Sequence, residues 1–274
     1  MLHTLHERWR QGYRTAPWPQ QQPTLPERYS GAPLFDQTRC TVGCVVCRNA
    51  CPTAAITTTP HWQLDMGRCV FCNECAQACP SGALQMSREH RLAARQREGL
   101  IVTATNHFRP LLPEAALPGA IRRILGRSLK LRQVSAGGCN ACEADVNVLG
   151  TLVFDMGRFG VQFVASPRHA DGLLITGPVS ENMRHALLET YVATPDPKIV
   201  IAVGACAISG CPYHDSPETH NGVGDLVPVD LYIPGCPPHP YTTLDGILRL
   251  LGRLTEPAEI LGERRQTRTH SPAQ

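Results

Sequence analysis

CTVGCVVCRNACP, from Cys40 to Pro52, and CVFCNECAQACP, from Cys69 to Pro80, each pack four thiols into a short run and end on Cys-Pro. The chemistry this spacing offers is thiolate ligation of metal. A Cys-x2-Cys-x2-Cys-x3-Cys-Pro run is the ligand pattern of a cubane iron–sulfur cluster. Three closely spaced thiolates reach three irons of one cube from a single loop, and the fourth lies past a tight turn and points away. Proline after it fixes φ and offers no N–H. Structural zinc also uses such thiols, but as two separated pairs. A disulfide framework needs an oxidising compartment. The first run has one extra residue in its opening gap, CTVGC, which leaves room for a small bulge at Gly43.

The two runs are copies of one unit. Cys44, Cys47 and Cys51 recur 28 residues later as Cys72, Cys75 and Cys79, and Cys40 recurs 29 later as Cys69. CPTAAI (51–56) is echoed by CPSGAL (79–84). The stretch from Tyr29 to Gln85 therefore resembles bacterial two-[4Fe-4S] ferredoxins, an α+β ferredoxin-like fold. In such proteins the fourth cysteine of each run ligates the other cluster. The resemblance implies one cluster on Cys40, Cys44, Cys47 and Cys79, and a second on Cys69, Cys72, Cys75 and Cys51.

Five cysteines remain of the thirteen. Cys139 and Cys142 follow LKLRQVS, Cys206 follows KIVIAVG, and Cys236 follows VPVDLYIP. Three strand ends thus carry thiols. In a parallel sheet all carboxyl ends share one rim, where ligands bind. Gly137, Gly138, Gly204 and Gly235 flank them and let backbone N–H groups approach sulfur. This pattern predicts a third metal site. Cys211, in SGCPYHD, is read as an ordinary thiol near it. His169, His214, His220 and His239 show no metal-ligand spacing and are read as structural or surface residues.

The elements that must position these residues follow from the pattern of the chain. Residues 1–28 hold an amphipathic start, with Leu2, Leu5, Trp9 and Tyr13 on one helical stripe and Arg8, Arg10 and Arg14 off it, then an arm rich in Pro and Gln. Residues 29–86 form the ferredoxin unit. Residues 87–128 read as a connector: SREHRLAARQRE is a helical pattern, GLIVTAT an edge strand, PEAALPGAIRRILGRS a short basic amphipathic segment. Residues 129–253 alternate short β-branched runs (129–135, 160–166, 171–177, 198–204, 227–235) with helical patterns (142–153, 180–192, 241–254). That alternation predicts an α/β domain with a doubly wound parallel sheet. Residues 254–274 form a polar tail. A net charge of +3 with 18% charged residues and no arginine stripe interleaved with aromatics argues against nucleic acid as partner. No run approaches the length of a membrane span. No export signal is seen, and neither GxGxxG nor GxxxxGK[ST] occurs.

GGCNACEADVNVL, SPRHADGLLITGPVSENM, VGACAISG and VPVDLYIPGCPPHP resemble the small electron-transfer subunit shared by complex I (its B, or 20 kDa, subunit) and membrane-bound energy-converting [NiFe] hydrogenases, including formate hydrogenlyase. The likeness covers about Leu129–Gly252. It implies a flavodoxin-like domain holding one [4Fe-4S] cluster on Cys139, Cys142, Cys206 and Cys236, three clusters in all. It implies a 49 kDa-like large catalytic subunit as partner, other subunits of a membrane complex, and a cytoplasmic, peripheral place on the inner membrane. The Cys-x2-Cys spacing at 139–142 is that of the group 4 hydrogenase branch, since the complex I branch has two adjacent cysteines there. The resemblance makes Glu143 and Asp145 candidates for proton transfer, against an ordinary preference for acids in a helix's first turn. The chain then reads as part of an oxidoreductase with no turnover alone. The alternatives are a subunit of a quinone-linked or nickel-free relative, and a freestanding ferredoxin-like carrier.

Overall fold

The computed structural model describes residues 2–106 and 116–254. The cysteine-rich half is built from very short elements, because loops that wrap thiols around a cofactor leave little chain for regular structure. In order these are α1 (Leu2–Gln11), β1 (Pro33–Phe35), α2 (Val46–Asn49), β2 (Ile56–Thr57), β3 (Gln63–Asp65), α3 (Glu74–Gln77), β4 (Leu84–Met86), β5 (Ile101–Thr103) and α4 (Gly119–Leu125). Strand β1 pairs antiparallel with β4, and β2-β3-β5 form a second antiparallel sheet. The third strand of that sheet lies beyond the repeat: Val102 of β5 sits opposite Leu64 of β3, and both are fully buried.

The helix expected over SREHRLAARQRE does not form. Leu92, Ala93 and Ala94 are all buried, so three successive side chains need cover on several sides, which one helical stripe cannot supply. The segment is irregular instead, with one bridging residue and a 3-10 turn that begins at Arg97. Ala94 bridges Tyr232 of the other half, and Glu89 folds back onto the backbone N–H and guanidinium of Arg91.

The second half contains β6 (Leu129–Ser135), α5 (Ala141–Val148), β7 (Val161–Phe163), β8 (Gly172–Thr176), α6 (Glu181–Ala193), β9 (Ile199–Val203), α7 (Ala205–Ser209), β10 (Leu231–Ile233) and α8 (Pro240–Leu250). The five strands are parallel, in the order β10-β9-β8-β6-β7. Every residue of β8 and β9 is buried, as a parallel sheet covered on both faces requires. One face packs Leu131, Leu174 and Ile201 against Val146 of α5 and Leu244 and Leu248 of α8. The other packs Val134, Leu173, Ile175 and Val200 with Leu187 of α6, Ala207 and Ile208 of α7, and Leu64, Met66 and Leu100 of the cysteine-rich half. The two halves therefore share a core. The outer runs are shorter than their patterns suggest: 160–166 keeps three strand residues, and 227–235 keeps Leu231–Ile233.

The Pro- and Gln-rich arm is pinned to the second half. Trp18 is buried edge-on to Phe159, with ring centroids 5.8 Å apart. Arg158 donates to the carbonyls of Ala16 (3.0 Å) and Trp18 (2.8 Å). Most of the polar tail and residues 107–115 of the connector lie outside the described residues.

Candidate iron–sulfur centres

Each cysteine run wraps through a left-handed residue just before its second thiol. In the first run this is Gly43, at φ 78, and in the second it is Phe71, at φ 56. Short helices then carry the third thiol inward, so Cys47 of α2 and Cys75 of α3 are buried. The groupings cross between the runs. Burial first, then the neighbouring thiols of Cys44, Cys47 and Cys79, push the Cys40 thiol up. Burial pushes Cys69 up to about 12, with Cys75, Cys51 and Cys72 adding to it. Cys79 thus stands with the first run and Cys51 with the second. Thiols that oppose one another's ionisation when bare are stabilised as thiolates by hydrogen-bond donors and by positive charge placed among them, which bound iron would supply.

Backbone and hydroxyl donors already point at the sulfurs. Ala55 N–H donates to Cys51 Sγ and Phe71 N–H to Cys69 Sγ, each at 3.3 Å. The hydroxyls of Thr53 and Ser81 lie 3.7 Å from Cys51 Sγ and Cys79 Sγ. Both come from the sequence Cys-Pro-Thr/Ser, two residues past the thiol. Donors of this kind tune the potential of a bound cluster.

The other thiols gather at the carboxyl rim of the parallel sheet. Cys139 and Cys142 bracket the start of α5 just past β6, Cys206 lies in α7 just past β9, and Cys236 follows β10. Burial, followed by the thiols of Cys236, Cys139 and Cys211, pushes Cys206 up to about 12. Burial and the neighbouring thiols of Cys206 and Cys236 also raise Cys142. Asn140 is left-handed at φ 68, and so is Asn73 in the ferredoxin half at φ 69. Both follow the first thiol of a Cys-Asn-x-Cys loop, a shared signal that the cysteine spacing by itself did not reveal. Asparagine tolerates this conformation better than most residues. Gly204, at φ 90, leaves the space that Cys142 occupies: a Cβ there would lie 2.5 Å from Cys142 Sγ. The donor set, the crowding of anionic ligands and the glycine cradle fit a third cluster. Among the described residues no three His, Cys, Asp or Glu side chains converge on the position of a single ion.

Glu143 turns inward. It is buried, and its Oε1 accepts from Ser135 Oγ (2.6 Å) and Thr176 Oγ1 (2.7 Å), the last residues of β6 and β8. Glu143, a candidate for proton transfer on the resemblance, thus has one carboxylate oxygen held by two hydroxyls at the ends of neighbouring strands. Asp145 is half-buried, which raises its carboxyl pKa. Cys211 is buried between the halves, its Sγ 4.0 Å from the carbonyl of Thr53. Beside it Ser209 Oγ donates to the carbonyl of Gly67 at 2.8 Å. His214 and His220 are engaged with the Ser209 carbonyl and Glu181, and His239 caps α8 and stacks on Tyr241.

Two family models match. NADH ubiquinone oxidoreductase, 20 Kd subunit, covers residues 139–250, and the 4Fe-4S dicluster domain covers residues 39–83. The probable membrane-bound hydrogenase subunit mbhJ of Pyrococcus furiosus is 42% identical over 49% of this chain and 80% of its own length. Formate hydrogenlyase subunit 7 of Escherichia coli is 44% identical over 52% of this chain and 56% of its own length. A chain of the membrane-bound sulfane sulfur reductase, an archaeal respiratory membrane complex, is 34% identical with a TM-score of 0.43, covering 49% of this chain and 75% of that one.

Proposed function

The chain belongs to the family of the 20 kDa subunit of NADH ubiquinone oxidoreductase, with a 4Fe-4S ferredoxin domain ahead of it, and on that premise we propose that it relays electrons through three [4Fe-4S] clusters to or from a large catalytic subunit. The observation that supports this reading is the nearness of Cys40 to Cys44, Cys47 and Cys79, of Cys69 to Cys51, Cys72 and Cys75, and of Cys142 to Cys139, Cys206 and Cys236, which we read as three groups of four. The first is Cys40, Cys44, Cys47 and Cys79. The second is Cys69, Cys72, Cys75 and Cys51. The third is Cys139, Cys142, Cys206 and Cys236. A [4Fe-4S] cluster, when bound, takes up and gives back one electron at a time. The chain's own part is to hold the thiolates, to aim N–H groups at the sulfurs and to exclude water.

The strand order supports a flavodoxin-like reading of the second half. Numbered within that half, the order is 2-1-3-4-5, which is the order of the flavodoxin class. The packing of the halves supports an order for the three proposed sites. Thr53 and Gly67, near Cys51 and Cys69, touch Cys211 and Ser209, near Cys206. The Cys69 group is thus the inner ferredoxin site. The Cys40 group lies at the outer end, where Val42 is fully exposed.

The Cys-x2-Cys spacing at 139–142 favours a group 4 [NiFe] hydrogenase-like, formate hydrogenlyase-like complex over complex I. With such a partner the chain is peripheral on the cytoplasmic face of the membrane. Among the described residues no helix is long and apolar enough to cross one. Anaerobic reconstitution tests the cluster reading: about twelve irons and twelve sulfides per chain are expected. Zinc as the main metal, or only eight irons, would overturn it. The nickel content of the large subunit that copurifies tests the hydrogenase assignment, and a nickel-free partner would move the chain to a related complex.

A further inference from the structure

Helix α1 has no part in the electron path, and it buries none of its residues. Leu2, Leu5 and Trp9, at i, i+3 and i+7, share one face. They are 84%, 65% and 83% exposed. Arg8 and Arg10 leave the helix about 100° to either side of Trp9. Gly12, at φ 62, ends the helix. Tyr13 therefore leaves the stripe that its spacing suggested and lies under Arg8, whose Cζ is 4.7 Å from the ring centroid.

The root of this segment is fixed. Ala16 N–H donates to the Val153 carbonyl at 2.9 Å, and the buried Trp18 anchors the arm. The helix thus projects from the part of the second half where Leu152 and Val153 are also exposed. A ten-residue helix is marginal in water on its own, so its stripe needs a cover. The surrounding charge selects which one. Leu2 to Arg14 carries three arginines against one glutamate, Glu7, which pairs with Arg10 at 3.0 Å. An apolar face with a central tryptophan and guanidinium groups on both flanks matches the boundary between lipid headgroups and acyl chains, where arginine reaches phosphate.

We propose that α1 lies in the headgroup layer of an anionic bilayer, with Leu2, Leu5 and Trp9 toward the acyl chains and Arg8 and Arg10 on lipid phosphates. This rests on the peripheral-membrane reading above and names the segment that makes the contact. The test uses the full chain with its clusters reconstituted. It is sedimented with phosphatidylcholine vesicles and with mixed phosphatidylcholine–phosphatidylglycerol vesicles, and iron is assayed in the same samples. The full chain should bind the mixed vesicles, bind neutral ones more weakly, and release in high salt. Arg8→Gln and Arg10→Gln should each weaken binding about fivefold. Trp9→Ser should weaken it too, and removal of residues 2–14 should abolish it with iron unchanged. The proposal is overturned if the full chain ignores anionic vesicles, binds neutral ones equally well, or binds as well without residues 2–14. It is also overturned if binding requires another subunit, which would make the cover a protein, or if the truncated chain loses its ferredoxin iron, which would make α1 internal packing. A full chain that is short of iron yet binds vesicles as described supports this proposal and counts against the electron-relay reading.

Discussion

Gly204 stands where no side chain fits, since an added Cβ meets Cys142 Sγ at 2.5 Å and the backbone is left-handed at φ 90. Gly204→Ala should displace that sulfur and cost the third site its iron, about four of twelve atoms per chain, with the ferredoxin sites unchanged. Iron analysis with electron paramagnetic resonance reads this directly. Cys236→Ser should give the same loss, whereas Cys211→Ser should keep all twelve irons, and a missing signal in Cys211→Ser would reassign the ligands. Glu143 invites a different test, because two hydroxyls donate to its one buried oxygen. Glu143→Ala removes the acceptor of Ser135 Oγ and leaves Thr176 Oγ1 only the longer contact to the Val134 carbonyl at 3.4 Å, and should lower stability by about 1–3 kcal/mol. Glu143→Gln keeps an acceptor and should lower it far less, as a denaturant melt would reveal. Turnover of the whole complex by the Gln variant, with normal cluster spectra, then reports on the carboxylate as a proton carrier. The thiols and glycines at strand ends were legible in the sequence because few residue types do those jobs. The inward turn of Glu143 was not, since it depends on where two strands end side by side.

At the scale of elements, the buried runs DGLLITG and KIVIAVG were legible as strands because burial on both faces leaves an unbroken apolar pattern. The segment 87–98 misled for the opposite reason. Its polar–apolar rhythm fits a helix, but its cover comes from residues over a hundred positions away, and the bridge from Ala94 to Tyr232 decides its shape. The strand β5 was legible as a strand, and its place in the β2-β3-β5 sheet was not. The same seam between halves carries a prediction. A Cβ on Gly67 would lie 2.7 Å from both Ile208 Cγ2 and Arg97 Cζ. Arg97 is also held by Asp65 at 2.7 and 2.6 Å. Gly67→Val should push α7 away from the ferredoxin half. All twelve irons should remain, while electron passage between the ferredoxin sites and the Cys236 site slows. Rapid-freeze resonance spectra after a pulse of reductant would resolve the two halves, and simultaneous reduction at the normal rate would contradict the proposed order of sites.

The whole molecule has an inner and an outer end. At the inner end the Cys69 group meets the parallel sheet through a shared core. At the outer end Val42 is fully exposed, and Val45 and Val46 are partly so. Val42 and Val45 flank Cys44 on a groove of about 740 Å³ that is also lined by the stacked rings of Phe35 and Trp62, 3.9 Å apart, and Val46 follows them at the exposed start of α2. Exposed apolar side chains around a site that exchanges electrons suit brief docking with a donor or acceptor protein, because they lose water on contact without locking the partner in place. Val42→Asp with Val46→Asp leaves every thiol and every buried contact of α2 in place. It should weaken docking by about 1–2 kcal/mol, the share expected from two part-buried valines, or roughly tenfold in affinity. Reduction by the protein donor should slow accordingly at low donor concentration. Reduction by dithionite, which needs no docking surface, should be unchanged. Stopped-flow absorbance measures both rates on one sample. If both fall together the substitution has damaged the first site, and if neither falls the partner enters elsewhere.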